Sequence, residues 1–176
     1  HEGVRGMRFE FASKARWFGT PVRPLVVALD GLRLDVDVDS GQKTGMFLDQ
    51  RENALNTRVY APDARVLDGH CYNGLWSCHL ALGGAKHVLG VDTSGPALDQ
   101  ARKNAALNGV EDRCEFECVD VQEVLKRDER FDVITLDPPA LAKSRAHAEK
   151  ALGVYHALNR DAMAALTPGG ILISSS

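Results

Sequence analysis

Apolar and polar residues alternate in two short runs near the start of the chain, within the stretch RPLVVALDGLRLDVDVDSG. Between Leu32 and Val38 every second residue is apolar, and Asp30-Gly31 separates this run from the preceding one. A period of two is typical of a strand with one buried face, and an Asp-Gly pair is typical of a tight hairpin turn. The pattern predicts a β-hairpin inside a β-rich segment that covers residues 1–45.

From residue 65 onward, short apolar runs alternate with segments of helical periodicity. The expected strands cover residues 65–68, 86–92, 114–120, 131–137 and 169–176, the last opened by a turn at Pro168-Gly169-Gly170. The expected helices cover residues 74–82, 94–109, 121–127 and 146–166. Ser94 is the predicted N-cap of the second helix, and Gly109 its end. Strands separated by helices specify a parallel sheet covered on both faces, so we expect an α/β domain over residues 46–176.

Composition and charge narrow the classes of protein. The 176 residues are 44% hydrophobic, which is enough for a well-packed domain. The net charge of −3 does not indicate a protein that binds polyanions. The first 33 residues hold six basic and three acidic side chains, which we interpret as a solvated surface rather than a phosphate-binding one. Four cysteines, Cys71, Cys78, Cys114 and Cys118, suggest reduced thiols, and their spacing predicts no metal site. The sequence shows no signal peptide and no membrane span, so we expect a cytoplasmic protein.

Four predicted strands end in aspartate, namely Asp68, Asp92, Asp120 and Asp137. An aspartate at a strand end often caps the following helix, and for any one of the four this explanation is as good as a functional one. The carboxyl ends of parallel strands, however, meet at one edge of the sheet, where α/β proteins bind their ligands. Four acids at that edge favour a ligand site.

Asp92 and the turn after the first parallel strand indicate which ligand this is. A carboxylate at the end of the second strand can accept two hydrogen bonds from a ribose diol, as in sites for NAD and for S-adenosylmethionine (SAM). A dinucleotide site needs a GxGxxG turn, whereas the stretch DGHCYNGLWS has only Gly69 and Gly74. The turn therefore favours SAM, and a nucleotide-dependent dehydrogenase is a distant alternative.

Asp137 is followed by two prolines in the stretch FDVITLDPPALAKS. Pro138 and Pro139 fix the backbone and remove two hydrogen-bond donors, which makes this segment a rigid wall. A rigid acid beside a cofactor can hold a planar heterocycle by its polar edge. The alternative is that the two prolines only end the strand.

Five stretches together resemble one protein family: GQKTGMFLDQREN, VLDGHCYNGLWS, VDTSGPALDQARKNAALNG, FDVITLDPPALAKS and GGILISSS. In this order and spacing they resemble the class I SAM-dependent methyltransferases of the RlmI/RlmO type, which form 5-methylcytosine in 23S ribosomal RNA. The resemblance implies a Rossmann-like fold, SAM as cofactor and 23S ribosomal RNA as partner. It also implies that the β-rich N-terminal segment connects the methyltransferase domain to an upstream RNA-binding PUA domain.

The resemblance further implies a role for each matched residue. The first SAM-binding turn would comprise Asp68, Cys71, Tyr72 and Gly74. The residues at the ribose would be Asp92, Thr93 and Ser94, and those at the adenine Asp120 and Val121. The catalytic segment facing the target base would be Asp137, Pro138 and Pro139. The segment that closes over the active site would include Lys43, Thr44, Asp49, Gln50 and Arg51.

The chain departs from the family pattern at four positions. His70 stands where the family usually has an aromatic residue, and Leu75 stands where it has a glycine. Leu141 stands in place of a phenylalanine, and Ala54 stands in place of an arginine. None of the four removes a charged contact to a ligand.

Methylation of cytosine at C5 needs one more group, a cysteine thiolate that adds to C6 of the base. In this family that cysteine follows the fifth strand, and alignment through GGIL puts it directly after Ser176. We therefore expect a truncated domain whose nucleophile lies one residue beyond the sequence, with Cys71 and Cys78 as packed thiols. Without the two further strands of the complete fold, the edge of the fifth strand would favour self-association, so an oligomer is possible.

Two other functions fit part of the pattern. A SAM methyltransferase of another specificity, for instance one acting on an exocyclic nitrogen, usually has an aromatic residue after the two prolines, where this chain has Ala140. A non-catalytic protein that binds SAM or RNA would share the cofactor residues without the nucleophile. Methyl transfer by the intact protein separates these possibilities.

Overall fold

The computed structural model describes residues 25–36, 47–139 and 148–175. In these ranges the strands are β1 Val26–Leu29, β2 Leu32–Asp35, β3 Arg65–Gly69, β4 His87–Asp92, β5 Cys114–Cys118, β6 Phe131–Leu136 and β7 Leu166–Ser174. The α-helices there are α1 Arg51–Asn56, α2 Leu75–Leu82, α3 Gly95–Leu107, α4 Val121–Val124 and α5 Ala148–Ala164. Short 3₁₀ turns, Leu48–Gln50 and Thr57–Tyr60, flank α1. None of the helices in the described ranges is long and apolar enough to cross a membrane.

β1 and β2 form the predicted hairpin, with Val27 opposite Leu34 in an antiparallel pair. Asp30 and Gly31 have φ angles of 53° and 75°, and a type I′ turn requires a positive φ at both central residues. Glycine adopts this conformation freely and aspartate tolerates it. The alternation in β2 buries Leu32 and Leu34 completely. The prediction of a hairpin with one buried face is confirmed.

The other five strands form one parallel sheet in the order β5-β4-β3-β6-β7. β3 pairs with β4 on one side and with β6 on the other, so the chain adds strands first to one side of β3 and then to the other. In the register, Asp68 of β3 stands beside Gly90 of β4 and Thr135 of β6. This change of side makes the carboxyl edge of β3 the switch point where an α/β sheet opens a ligand crevice. The predicted α/β fold is confirmed.

Both faces of the sheet are covered, as a parallel sheet requires. Successive residues of β3 point to opposite faces, so Val66 packs with the hairpin, α2 and α3, whereas Leu67 packs with α4 and α5. Leu32 and Leu34 of the hairpin belong to the same cluster as Val66, so the hairpin completes the core of the sheet domain. The predicted domain boundary at residue 45 lies outside the described residues and stays a prediction.

Three amide side chains, two in α3 and one at its C-cap Asn108, hold the hairpin against the sheet domain. Asn108 accepts a hydrogen bond from Arg33 N at 2.8 Å and donates one to Arg33 O at 2.7 Å. Asn104 accepts from Asp35 N at 2.9 Å, and Gln100 donates to Asp35 O at 2.8 Å. Residues spaced four apart lie on one face of a helix. The three amides therefore satisfy backbone groups of β2 that a neighbouring strand would otherwise have to pair.

The last strand begins earlier than the sequence predicts. The sequence predicts a turn at Pro168-Gly169-Gly170 before this strand, whereas β7 already begins at Leu166. The pairing of β7 with β6 shifts between Leu166 and Ile171, where β7 has three more residues than the facing part of β6. Thr167 Oγ1 donates to Asp132 Oδ1 at 2.9 Å and keeps the segment on the sheet. The predicted turn residues Pro168-Gly169-Gly170 therefore lie in an irregular part of the strand, where Gly169 has a φ of 85°.

Candidate active site

A cleft of about 590 Å³ opens at the carboxyl edge of the sheet, beside the switch point at β3. Four segments line it: the turn after β3, the residues after β4, Asp137-Pro138-Pro139 after β6, and the residues before α1. Cavities of this size are typical of small-molecule and cofactor sites. The cleft lies at the edge where the sequence predicts the ligand.

The turn after β3 has an unusual backbone. His70 and Tyr72 have φ angles of 63° and 48°, in the left-handed region that residues other than glycine rarely adopt. Gly74 has a φ of 78°, and a Cβ on it would stand 3.0 Å from Ala101 Cβ of α3. Backbone strain of this kind persists where the surrounding structure holds it, and it is frequent at ligand sites. Gly74 is needed both for its conformation and for the close approach of α3.

Helix α2 begins at this turn, and Leu75 and Trp76 of its first turn line the cleft. No side chain caps the helix at Gly74. The first backbone N–H groups of a helix have no partner within the helix, and they favour a negative charge nearby. The start of α2 is therefore suited to an anionic group of a ligand.

Asp92 lines the cleft at the end of β4, and two backbone amides fix its carboxylate. Oδ2 accepts from Tyr72 N at 3.0 Å, and Oδ1 accepts from Ser94 N at 2.9 Å. Because each carboxylate oxygen has two lone pairs, both can accept a further hydrogen bond from a ligand hydroxyl. Thr93 and Ser94 line the same wall, and Ser94 is the N-cap of α3 as predicted.

Asp68, which the resemblance places in the cofactor turn, lies beneath that turn and does not line the cleft. It is 1% exposed and accepts hydrogen bonds from Ser77 Oγ at 2.5 Å and from Thr135 Oγ1 at 2.8 Å. Burial raises the pKa of Asp68 to about 6, although the two hydrogen bonds act in the opposite direction. In this position Asp68 supports the turn from within the core.

Asp120 and Val121 also lie outside the lining of the cleft. Asp120 Oδ1 accepts from Gln122 N at 2.8 Å and caps α4, which is the capping explanation that the sequence left open. Val121 is buried, and a Cβ on Gly69 would stand 2.8 Å from its Cγ2. In this structure the two residues support the floor of the site next to the turn after β3.

His70 lines the cleft near the acidic ends of three strands. Burial lowers the pKa of His70, while the carboxylates of Asp92, Asp120 and Asp137 act in the opposite direction. Burial has the larger effect, so the imidazole is neutral at pH 7 and offers one donor and one acceptor. The only signal of His70 in the sequence is that it replaces the aromatic residue of the family pattern.

Asp137 lines the cleft on the other side of β3 from Asp92. Its Oδ1 accepts a hydrogen bond from Gln50 Nε2 at 3.1 Å and another from Ser175 Oγ. Neighbouring strands lie about 4.8 Å apart, so two strand spacings, roughly 10 Å, separate the ends of β4 and β6. The cleft thus has an acid on each side, with room for a ligand between them.

The residues before α1 form another wall of the cleft. Asp49 and Gln50 line it, as does Phe47. The Phe47 ring meets the Tyr72 ring edge-on, with 5.1 Å between the ring centroids. This aromatic contact brings the segment against the turn after β3.

Arg51 belongs to the same segment but does not line the cleft. Its guanidinium pairs with Asp30 in the hairpin turn, with Nη2 2.9 Å from Oδ1 and a second hydrogen bond from Nε to Oδ2. This bidentate pair lowers the pKa of Asp30. Arg51 thus ties α1 to the hairpin in this structure. Lys43 and Thr44 lie outside the described residues.

Three of the four cysteines are unsuited to nucleophilic attack. Cys71 lines the cleft, but burial raises its pKa well above the usual range. Burial also raises the pKa of Cys78, and it raises that of Cys114 to about 12. The thiolate is the reactive form of cysteine, and these environments disfavour it. Cys71 and Cys78 are both buried, so their prediction as packed thiols is confirmed.

Some residues of the site have no chemical signal in the sequence. Phe47, Asn73 and Trp76 line the cleft, and Ser175 contacts Asp137. Asn73 and Trp76 lie within the turn motif and Phe47 precedes LDQR, so adjacency to a motif was the available clue. Ser175 is brought to Asp137 only by the pairing of β7 with β6.

Comparison with known proteins decides the family. The sequence matches the S-adenosylmethionine-dependent methyltransferases over residues 3–176. The chain belongs to this family. The Ribosomal RNA large subunit methyltransferase I of Aeromonas salmonicida is 41% identical over 162 residues, which cover 89% of this methyltransferase chain and 41% of that protein. The protein of the same name from Klebsiella pneumoniae is 39% identical over 161 residues, covering 89% of this chain and 40% of its own length. The chain therefore spans about two fifths of these relatives.

Two solved structures share the fold of this methyltransferase. A protein described as a SAM-dependent methyltransferase from Streptococcus mutans superposes with a TM-score of 0.77 at 23% identity, over 91% of this chain and 43% of that chain. A methyltransferase complexed with SAH superposes with a TM-score of 0.78 at 24% identity, over 91% and 44%. At these identities the likeness shows the fold alone, and it agrees with the predicted Rossmann-like sheet.

The cleft fits SAM, the cofactor of this methyltransferase family. Asp92 has lone pairs left for two ribose hydroxyls, and the uncapped start of α2 suits a carboxylate. A Cβ at Gly74, in the turn between them, would stand 3.0 Å from Ala101 Cβ, and the φ of 78° also disfavours a side chain there. These features match a ligand with a ribose in its middle and a charged amino-acid group at one end.

Proposed function

We propose that this methyltransferase uses SAM to form 5-methylcytosine in 23S ribosomal RNA. The observation that carries the proposal is the pair of acids, Asp92 and Asp137, on either side of β3 in one cleft. One acid suits the ribose of the cofactor, and the other stands where a second ligand can meet it. Relatives named Ribosomal RNA large subunit methyltransferase I support ribosomal RNA as this second ligand.

In the proposed cofactor site, Asp92 accepts hydrogen bonds from the ribose hydroxyls, and the start of α2 holds the carboxylate of the methionine end. When bound, SAM supplies an electrophilic methyl group. The left-handed residues of the turn after β3 set the shape of the site between these two points. The other residues that we propose to contact or support the cofactor are Asp68, Cys71, Tyr72, Gly74, Thr93, Ser94, Asp120 and Val121.

Asp137 is proposed to hold the target base by its polar edge. A carboxylate accepts hydrogen bonds, so it complements the exocyclic amino group of cytosine, whereas uracil has a carbonyl oxygen at that position. Pro138 and Pro139 restrict the backbone directly after Asp137 and so limit the positions of the acid. Enzymes that modify a base take it out of the stack, and the base would enter the cleft in this flipped form.

The proposed reaction also needs a thiolate that adds to C6 of the base. Cys71, Cys78 and Cys114 have raised pKa values because they are buried. Cys118 is exposed, but it ends β5, three strand spacings or roughly 14 Å from β6. The cysteine expected directly after Ser176 would be better placed, since Ser175 contacts Asp137.

The partner and location follow from the same proposal. The names of the relatives support RNA as substrate, and the large-subunit RNA of bacteria is the 23S species. All four cysteines are free thiols, in keeping with the reducing cytoplasm. We propose residues 1–45 as the connector toward an RNA-binding part and residues 46–176 as the methyltransferase domain.

Calorimetric titration of S-adenosylhomocysteine tests the cofactor site. We expect saturable binding by the wild type and at least about tenfold weaker binding by Asp92→Asn, which keeps the shape of the side chain but removes its charge. Asp99→Asn, on the exposed side of α3, is the matched control and should bind as the wild type does. Equal affinity of the wild type and Asp92→Asn would contradict the ribose role.

Transfer of a tritiated methyl group from SAM to an unmodified transcript of bacterial 23S ribosomal RNA tests the reaction. With the intact protein we expect 5-methylcytosine in the nucleoside digest, identified by mass spectrometry. Asp137→Ala should abolish transfer and leave the affinity for S-adenosylhomocysteine unchanged, because Asp137 is assigned to the base. A different methylated nucleoside would overturn the specificity, and normal turnover by Asp137→Ala would remove this acid from the reaction.

A further inference from the structure

Two hydrogen-bond donors from distant parts of the chain converge on one oxygen of Asp137. Gln50 Nε2 donates to Oδ1 at 3.1 Å from 87 positions earlier in the sequence. Ser175 Oγ donates to the same oxygen from 38 positions later. Oδ2 receives no hydrogen bond from the residues that the structure describes, and the side chain lines the cleft. Two donors on one oxygen restrict rotation of the carboxylate, and no described residue competes with a ligand for the other oxygen.

The orientation of the Gln50 amide is set by a neighbour. Asn53 Nδ2 donates to Gln50 Oε1 at 3.0 Å, and this bond uses the oxygen end of the amide. The nitrogen end, which can only donate, is thereby turned toward Asp137. An acceptor facing Asp137 would repel the carboxylate. The two hydrogen bonds therefore run in one direction, with Asn53 donating to Gln50 and Gln50 donating to Asp137.

The second donor stands on a rigid part of the sheet. Ser175 N donates to Leu136 O at 2.9 Å, and Leu136 directly precedes Asp137. Ser174 pairs with Leu136 in the β6–β7 register, so the backbone on which Ser175 stands is fixed beside the acid. Gln50, in contrast, belongs to the segment before α1. The acid is therefore held by the sheet on one side and by a separate wall of the cleft on the other.

We propose that Gln50 and Ser175 are positioning residues that hold Asp137 with Oδ2 presented to the exocyclic amino group of the target cytosine. This inference rests on the proposed function and adds the residues that orient the base-holding acid. A carboxylate fixed at one oxygen meets the amino group in a single geometry, and errors of about 1 Å at a reacting centre can lower turnover about 100-fold. The two donors thus contribute to turnover and to the preference for an amino-bearing base.

The test uses Ser175→Ala and Gln50→Met in the intact protein, since both remove the donor and keep most of the side-chain stem. We expect each to lower kcat about tenfold or more on the 23S transcript, with the affinity for S-adenosylhomocysteine within about twofold of the wild type. Ser175→Thr keeps the hydroxyl and should retain kcat. Ser174→Ala is the matched control, because Ser174 is exposed and makes no side-chain hydrogen bond within the described part of the chain.

A second measurement separates positioning from a merely structural effect. The mapped target cytosine is replaced, in a short RNA, by a pyrimidin-2-one nucleoside that lacks the amino group. The kcat of the wild type should be much lower on this RNA than on the RNA with cytosine. The kcat of Ser175→Ala and of Gln50→Met, already low on cytosine, should fall little further on this RNA. Equal further losses in the wild type and the variants would overturn the inference, because the amino group would then not depend on the positioned oxygen.

The outcomes distinguish this inference from the function on which it rests. If the wild type methylates cytosine and both variants keep the wild-type kcat, the positioning role is wrong while the function stands. If the variants lose affinity for S-adenosylhomocysteine and thermal stability together with kcat, the donors are structural and the inference is overturned. If the wild type forms no 5-methylcytosine, the proposed function fails and the inference fails with it.

Discussion

Asp68 and Asp92 end neighbouring strands but have opposite environments. Asp92 is held by backbone amides in an open cleft, whereas Asp68 is enclosed by the core with hydroxyl donors from Ser77 and Thr135. Both are predicted at the ligand edge because both end a predicted strand, and the resemblance to the family implies a cofactor role for each. The difference arises from α2, whose Ser77 covers Asp68, and such a contact between elements leaves no local pattern in the sequence.

The enclosed carboxyl makes the stability of the fold depend on pH. The pKa of Asp68 is about 6 in the folded protein, raised from 3.8 by burial. The folded state therefore binds this proton more tightly than the unfolded state, so the stabilisation is complete below about pH 4 and is lost as the pH rises through about 6. We expect Asp68→Asn, which does not titrate, to gain stability relative to the wild type by about 2 kcal/mol between pH 4 and pH 7.

Urea unfolding followed by circular dichroism at both pH values measures this gain. Asp112→Asn, at an exposed position without a hydrogen bond among the described residues, is the control and should follow the wild type. A constant stability difference between Asp68→Asn and the wild type would show that the carboxyl titrates normally in the folded protein.

The elements that carry a local signal could be predicted, and those defined by contacts could not. The hairpin follows from its period of two and its Asp-Gly turn, and the start of α3 follows from Ser94. Pro168-Gly169-Gly170 marks the irregular part of β7, but the hydrogen bond from Thr167 to Asp132, which keeps that part on the sheet, has no local pattern in the sequence. The sequence likewise contains the amides of α3 at a spacing of four, but their partners are backbone atoms of a strand about 70 positions earlier.

The same division applies to the candidate site. Asp92 and Asp137 could be predicted as neighbours because the carboxyl ends of parallel strands share one edge. Gln50 was placed in the site only by the resemblance to a family. Ser175 and Trp76 could not be predicted from their chemistry, since each reaches the site through the packing of the element that carries it.

Asn104 connects the hairpin, α3 and the turn that lines the cleft. Its Oδ1 accepts from Asp35 N at 2.9 Å, and its Nδ2 donates to Asn73 O at 2.9 Å. The side chain is completely buried, so water cannot replace either bond. One amide therefore links the position of the hairpin to the shape of the proposed cofactor turn.

We expect Asn104→Ala to lower both the stability and the affinity for S-adenosylhomocysteine, whereas Asn108→Ala lowers the stability alone. Asn104→Ala removes the acceptor of Asp35 N, at a cost of about 1–3 kcal/mol, and it also removes the hydrogen bond from the side chain to Asn73 O in the proposed cofactor turn. Asn108 lies one turn further along the same helix, and its bonds reach Arg33 and Asn104 O but not that turn. Asn104 lies inside α3 whereas Asn108 is its C-cap, so helix propensity changes the stability of the two variants differently, and the affinity for S-adenosylhomocysteine is the measurement that separates them. Thermal unfolding and calorimetric titration of the two variants measure these effects. Equal losses of affinity would mean that the turn depends on the docking of the hairpin as a whole, and no loss in either would mean that Asn104 does not govern the shape of the turn.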